Sequence, residues 1–304
     1  MIEAVPNVSE GRDGAVVEDL AEALRSTSGV FLLNYSSDVD HNRSVFTYVA
    51  DDSGPLFEAT MRLFEIAVRE IDLRRHQGAH PRVGAVDVTP FVPLRGSSME
   101  ECVALAKRVG QAVGERFAIP VYLYEEAATE DYRRPLPAIR SGGFEGFPEK
   151  ILDPRWTPDF GPKLVHPRAG VSVIGARIPL IAFNVQLATD RMDVATKIAR
   201  SVRTISGGLQ FVRALPIMLA HRGIVQVSMN LLDYRLTPIH VAFERVQEEA
   251  ARHGVDVLSS EIVGLVPEDA LFDTAAASLR IENFQTNSVL EKRIARVVGR
   301  PLPE

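Results

Sequence analysis

One order of elements occurs twice along this chain, and it limits the fold more than composition does. Residues 2–5 form a short β-rich run that residues 9–11 punctuate. Residues 13–27 carry Val16, Val17, Leu20 and Leu24 at helical spacing, with Asp13 placed as N-cap and Gly29 just past the end. Residues 30–35 (VFLLNY) and 44–50 (SVFTYVA) predict strands on either side of a polar turn, because they are rich in β-branched and aromatic side chains. Residues 55–72 predict a second helix. It opens with Pro55 and repeats apolar residues at Leu56, Met61, Leu63, Phe64, Ala67 and Ile71. Residues 82–94 predict a strand, so the order is β-α-β-β-α-β.

The same order returns from residue 180. Residues 180–187 predict a strand, and 189–204 a helix capped by Thr189 or Asp190. Strands follow at 215–220 and 224–234, around a His221-Arg222-Gly223 turn. Residues 237–254 predict a helix with Thr237 as N-cap, Pro238 at its first position and Gly254 at its end, and 255–266 a strand. Each unit has the split β-α-β pattern of a ferredoxin-like sheet. Between the units lie a strong helix at 98–116, a strand at 119–124 and a Pro- and Gly-punctuated stretch at 127–170. Such a length without periodicity marks a functional segment or a linker. Two helices are expected in the tail, at 267–279 and 285–299. The predicted fold class is α+β: two ferredoxin-like (βαββαβ) subdomains with mixed or antiparallel sheets and outer helices.

Composition serves mainly to exclude. Acidic residues outnumber basic ones, giving a net charge of −6, which disfavours a nucleic-acid backbone as partner. Cys102 is the single cysteine, so no internal disulfide and no Cys-rich metal or iron–sulfur site is expected. No apolar run is long enough to span a bilayer, and the first residues, MIEAVPNVSEGRDG, lack a secretory pattern. The expected setting is cytoplasmic.

The densest polar cluster is Arg74-Arg75-His76-Gln77-Gly78-Ala79-His80-Pro81-Arg82, with two His and three Arg in nine residues. It lies between a helix and a strand, where a rigid scaffold presents functional loops. Guanidinium forks suit a carboxylate-bearing substrate, and a nearby imidazole can move protons near neutral pH. The alternative is a solvated loop. His76 and His80 have the spacing of a helical zinc pair, but Gly78 and Pro81 oppose a helix, so no metal is expected. Three further clusters stand out: 38–43 (DVDHNR), 133–140 (RRPLPAIR) and the aromatic and cationic stretch 156–170. Each also reads as an ordinary surface segment. No nucleotide-binding or serine-hydrolase string occurs.

Several strings are more specific. VPNVSEGRD (5–13), DLRRHQGAHPRVGAVDVTPFVPLRG (72–96), VYLYEEAA (121–128), RRPLPAIRSGGFEGFPEKI (133–151), WTPDFGP (156–162) and NLLDYRLTPIHVAFE (230–244) resemble the glutamate formimidoyltransferase family, the formiminotransferase part of formiminotransferase-cyclodeaminase. The resemblance runs in order from about residue 2 to 300 and leaves no room within it for a cyclodeaminase domain. It implies two α/β subdomains, 1–179 and 180–304, and a homodimer. It implies transfer of a formimino group from N-formimino-L-glutamate to N5 of tetrahydrofolate, a step of histidine degradation and one-carbon metabolism, with tetrahydrofolate as co-substrate. The family's G-x-H-P-R string places the catalytic histidine at His80. Its folate-binding stretch falls on Gly161, Pro162, Lys163, Leu164, Val165, His166, Pro167, Arg168, Ala169 and Gly170. Ala79 stands where the animal members carry Glu.

On this reading His80 is the general acid and base, and Asn42, Arg43, Arg82 and Arg133 are the candidate substrate-binding residues. Two alternatives remain open at this level. One is formyl transfer from N-formylglutamate to the same folate, and the other is a folate-binding protein without turnover.

Overall fold

Pro6 has no amide hydrogen to give a ladder, and it divides the first strand into β1 (Ile2–Ala4) and β2 (Asn7–Val8). Its carbonyl still accepts from the Phe46 amide at 3.1 Å, so both pieces stay in one sheet. The computed structural model describes residues 1–78 and 81–298. The chain divides into two units, Met1–Ile178 and a second beginning at Pro179.

In the first unit, Asp13 caps α1 (Gly14–Arg25) by accepting from the amides of Ala15 and Val16 at 3.0 and 3.3 Å. β3 (Val30–Asp38) and β4 (Arg43–Ala50) form an antiparallel pair. α2 (Ser53–Glu70) then leads to β5 (Val86–Pro93). Pro55 is the third residue of α2, not the first, and still lies in the turn that has free N–H groups. β1 and β2 lie between β4 and β5, antiparallel to both, which gives the split β-α-β arrangement. α2 buries Leu56, Ala59, Thr60, Leu63, Phe64 and Ala67, a stripe at helical spacing. That stripe joins Leu20 and Leu24 of α1 and Phe46, Tyr48 and Phe91 of the sheet in one core. Each fully buried large side chain there contributes about 1.5–3 kcal/mol. Tyr48 and Thr60 would be costly in such a core, but their hydroxyls bond each other at 2.7 Å.

Two more strands and three more helices complete this unit. α3 (Met99–Phe117) starts with a full capping box between Ser98 and Glu101. β6 (Val121–Glu125), α4 (Leu136–Arg140), α5 (Gly143–Lys150) and β7 (Ser172–Ala176) follow. β7 pairs parallel with β5 and with β6, so the sheet runs β3-β4-β1/β2-β5-β7-β6. Sequence reasoning had left β7 without a strand and expected 127–170 to be irregular. Instead α4 and α5 cover one part of the sheet, where Ile139, Phe147 and Ile151 pack on Val88, Tyr122, Tyr124 and Val173.

In the second unit, β8 (Ile181–Leu187), α6 (Met192–Val202), β9 (Val212–Leu219), β10 (Ile224–Leu231), α7 (Ile239–Arg252) and β11 (Val257–Val263) form an antiparallel sheet of order β11-β8-β10-β9. Alternate residues of β8 and β10 (Ile181, Phe183, Val185, Leu187, Val225, Val227, Met229 and Leu231) are buried in one core with Val194, Ile198 and Val202 of α6 and Val246 of α7. The helix starts differ from expectation. Arg191, not Thr189 or Asp190, is the N-cap of α6, and Pro238 is the N-cap of α7. Thr237 instead donates its hydroxyl to the Gln210 carbonyl at 2.6 Å. α8 (Glu268–Ser278) and α9 (Leu290–Val298) close the described chain.

The α4–α5 cover can be tested with an internal probe. Trp156 is the only tryptophan and packs against the same cluster as Phe147. Phe147→Ala should lower the stability of this unit by about 3–5 kcal/mol, read as an earlier urea midpoint of Trp156 fluorescence. An unchanged midpoint would mean that this cluster does not hold the cover in place.

Candidate active site

Three loops of the first unit meet at Asn42. Its backbone has φ +48°, a left-handed conformation that Asn tolerates better than most residues. Its side chain is 6% exposed, and both its oxygen and its nitrogen are bonded. Oδ1 accepts from the Gly11 amide at 2.9 Å, and Nδ2 donates to the Gln77 carbonyl at 3.1 Å. The Asn42 carbonyl in turn accepts from His76 Nε2 at 2.8 Å. The loop after β2, the β3–β4 turn and the loop after α2 are thereby tied at one point. The approach is close enough to need glycine: a Cβ on Gly78 would lie 2.2 Å from the His41 carbonyl oxygen.

The His76 bond also fixes its chemistry. A carbonyl only accepts, so Nε2 carries the proton and Nδ1 is left a buried acceptor without a partner. Burial, reinforced by the Arg82 guanidinium, holds His76 below the ordinary histidine pKa. His76 is therefore a neutral scaffold residue. His80, the histidine that the sequence reading favoured, lies outside the described residues, but the chain on both sides of it is held. On one side are His76 and Gln77. On the other, Arg82 Nη2 donates to the His76 carbonyl at 3.0 Å, and the Val83 amide donates to Asp87 Oδ1 at 2.7 Å.

Asp87 is 2% exposed on β5 and uses its second oxygen for Arg140 of α4. Arg43 stands beside this pair. It donates to Asn7 Oδ1 at 3.2 Å, while its Nε is buried without a partner. Burial, and then Arg140, hold the Arg43 guanidinium below its ordinary pKa. Arg82 is engaged on its outer edge, where both terminal nitrogens meet Glu145 at 2.8 and 3.2 Å. Ser9, Asn42, Arg43, His76, Arg82 and Asp87 thus line one tight cleft. Next to it, sharing Asn42 and His76, opens a cavity of about 550 Å³. Arg12, Arg74, Arg75 and Arg168 reach its wall.

Asn42, Arg43 and Arg82 of the predicted substrate residues therefore come together. Arg133 does not join them. It is 5% exposed and donates to the carbonyls of Arg155 and Thr157, with Asp159 as ion-pair partner at 3.3 Å. Tyr122, Tyr132 and Trp156 rings surround it, so this guanidinium holds the 130–159 segment to β6 and is not offered to a ligand. The predicted folate stretch is split in the same way. Gly161 has φ +79° and packs its backbone on Gly114 of α3, and Leu164 and Lys163 are exposed. The other end is a tight turn, in which His166 and Gly170 exchange backbone bonds at 3.1 and 2.9 Å. His166 Nδ1 accepts from the Ala169 amide at 2.9 Å, and burial lowers its pKa. Arg168 leaves that turn for the 550 Å³ cavity and donates to the Arg69 carbonyl at 3.0 Å.

Sequence reasoning overlooked Asp87, Glu145 and Asn7. Asp87 had a signal, since a carboxylate inside the apolar run AVDVTPFV has to find a buried partner. Glu145 had none, because only the fold brings it to Arg82.

Comparisons with known proteins extend over both units. The model of the formiminotransferase domain, N-terminal subdomain, matches residues 1–177, and that of the formiminotransferase domain matches residues 182–300. A glutamate formimidoyltransferase of Thermoplasma acidophilum is 47% identical over 301 residues, 98% of this chain and 99% of that protein. One of Streptococcus pyogenes serotype M1 is 44% identical over 295 residues, 97% of this chain and 98% of that protein. The formimidoyltransferase-cyclodeaminase of Rattus norvegicus is 41% identical over 282 residues, 91% of this chain and 52% of that protein.

The Asp87–Arg140 pair predicts a large stability effect. Asp87→Asn keeps an acceptor for Val83 but leaves a mostly buried arginine unpaired. It should destabilise the first unit by about 3 kcal/mol in urea unfolding followed by Trp156 fluorescence. Arg140→Met in the same background should recover part of that loss. Additive effects of the two substitutions would show that the pair is not coupled.

Proposed function

The chain belongs to the formiminotransferase family, and we propose that it transfers the formimidoyl group of N-formimino-L-glutamate to N5 of tetrahydrofolate. The observation that carries this reading is the end-to-end likeness to glutamate formimidoyltransferases. The geometry agrees with it: the loop bearing His80 is held at both flanks beside an arginine-lined cavity. Both substrates carry carboxylates, and guanidinium groups recognise carboxylates bidentately.

The roles divide as follows. His80 is the general base and then the general acid. N5 of tetrahydrofolate attacks the formimidoyl carbon, and the His80 imidazole takes the proton that N5 loses. The resulting imidazolium protonates the glutamate nitrogen. The bond between that nitrogen and the formimidoyl carbon then breaks, glutamate leaves with its amine, and the imidazole is neutral again. Proton transfer of this kind supplies about 10²- to 10⁴-fold. Holding both substrates in place can remove about 7–11 kcal/mol of the barrier, more than the proton transfer does. Arg43, and Arg82 by its outer edge, anchor the donor's carboxylates. Arg168, at the end of the 161–170 stretch, and Arg75, whose guanidinium has no hydrogen bond or ion pair among the described residues, serve the folate side. Asn42 shapes the site through its three bonds. The reading also includes a homodimer and a cytoplasmic setting. The setting is supported by the single, buried cysteine, and no described helix is long and apolar enough to cross a membrane.

The test is a turnover assay with N-formimino-L-glutamate and tetrahydrofolate, acidified to develop the cyclised methenyl product, with N-formyl-L-glutamate as a parallel donor. The formimino donor is expected to be the better substrate by kcat/KM. His80→Asn should lower kcat by about 10²- to 10⁴-fold with little change in either KM. Near wild-type kcat in that variant would remove His80 from the mechanism, and preference for the formyl donor would reassign the reaction.

A further inference from the structure

Arg82 and Glu145 meet in an unusual way for an internal ion pair. The two terminal nitrogens of Arg82 face the two oxygens of Glu145 at 2.8 and 3.2 Å, a fork-on-fork contact. The guanidinium comes from inside, with its side chain 14% exposed, whereas the carboxylate comes from solvent, 67% exposed. This is how a free carboxylate ligand would approach a buried arginine.

We propose that Glu145 is a built-in competitor for the donor's carboxylate, taking the same edge of Arg82 and swinging off it when the donor binds. The proposal rests on the reading of Arg82 as a donor anchor. It makes Glu145 a determinant of donor affinity, although it touches no reacting atom.

Three observations separate this role from a structural one. First, α5 does not need the ion pair to stay in place. Phe147 and Ile151 are buried against Val88, Tyr122, Tyr124 and Val173, and the Phe144 amide donates to the Arg82 carbonyl at 2.9 Å. Second, Arg82 does not need Glu145 to stay in place. Nη2 is also bonded to the His76 carbonyl at 3.0 Å, and the guanidinium lies 5.9 Å from the centre of the Phe144 ring. Third, displacement costs little. Glu145 is a flexible surface side chain, and an ion pair whose carboxylate faces water is worth a factor of about two to five in an equilibrium constant. The Arg82 bonds keep its carboxyl below the usual carboxylate range, so the competitor is charged throughout the working pH range.

Glu145→Gln keeps the size of the side chain and removes the charge. Relative to the unchanged protein, KM for N-formimino-L-glutamate and the inhibition constant of the product L-glutamate should both fall by about two- to five-fold. kcat and KM for tetrahydrofolate should not move. Glu145→Ala should behave alike, which excludes an effect special to the amide. A donor KM that is unchanged or raised in both variants, or a kcat that falls with it, overturns the proposal and makes Glu145 a positioning residue for Arg82. If the unchanged protein turns over neither donor, the proposed reaction fails on its own. Calorimetric binding of L-glutamate to the same proteins then still decides the competitor. Tighter binding by Glu145→Gln supports it, and equal or weaker binding overturns it.

Discussion

The site depends on one residue's backbone and side chain together. Asn42 adopts a left-handed turn and spends its carboxamide and its carbonyl on two other loops, tying both to its own. A left-handed residue with a Cβ costs energy unless its surroundings determine it, and here one buried and two half-buried hydrogen bonds do so. The consequence reaches beyond the turn. The Asn42 carbonyl selects the tautomer of His76, and burial, helped by Arg82, keeps that imidazole neutral. A neutral His76 lets Arg43, Arg82 and Arg140 gather nearby without a further positive charge.

These arginines show why composition alone does not reveal a site. A net charge of −6 hides them, and their number does not say which are available. Arg133 is buried against two carbonyls and three rings and is a structural strut. Arg140 is taken by Asp87, and Arg74 by Asp72. Arg43 has one neutral partner, and Arg75 keeps its guanidinium free among the described residues. What distinguishes a strut from a ligand anchor is the set of acceptors around it, and those acceptors come from segments far away in sequence.

The same reasoning explains what could be read from the chain and what could not. The two β-α-β-β-α-β units were legible because each helix has one apolar stripe and each strand alternates or is β-rich. Asp13 was a correct cap because its signal is local. β7 was not read as a strand, since Val-Ile-Gly-Ala is short and its pairing with β5 and β6 is set by segments some fifty to eighty positions away. α4 and α5 were hidden by their Pro and Gly content. Pro135 precedes α4, Pro148 sits inside α5, and both helices are stabilised by Ile139 and Phe147 on the sheet more than by propensity. In the site, the Arg- and His-rich loop announced itself, whereas Asp87 and Glu145 acquire meaning only from the partners that the fold brings to them.

Asp87 shows how stability and function are joined here. It is a carboxylate buried in a strand between Val86 and Val88, a position that costs several kcal/mol unless both oxygens are satisfied. One oxygen fixes the Val83 amide, immediately after the Gly78–Arg82 string, and the other fixes Arg140 at the end of α4. One buried charge thereby couples the covering helices to the loop beside the cleft. A catalyst that gains mainly from positioning two substrates needs such rigid support, because small displacements of the loop erase the gain. Glu145 lies at the opposite limit, exposed and cheaply moved, and the contrast follows from burial. The carboxylate that must not move is at 2% exposure, and the one that is free to move faces water.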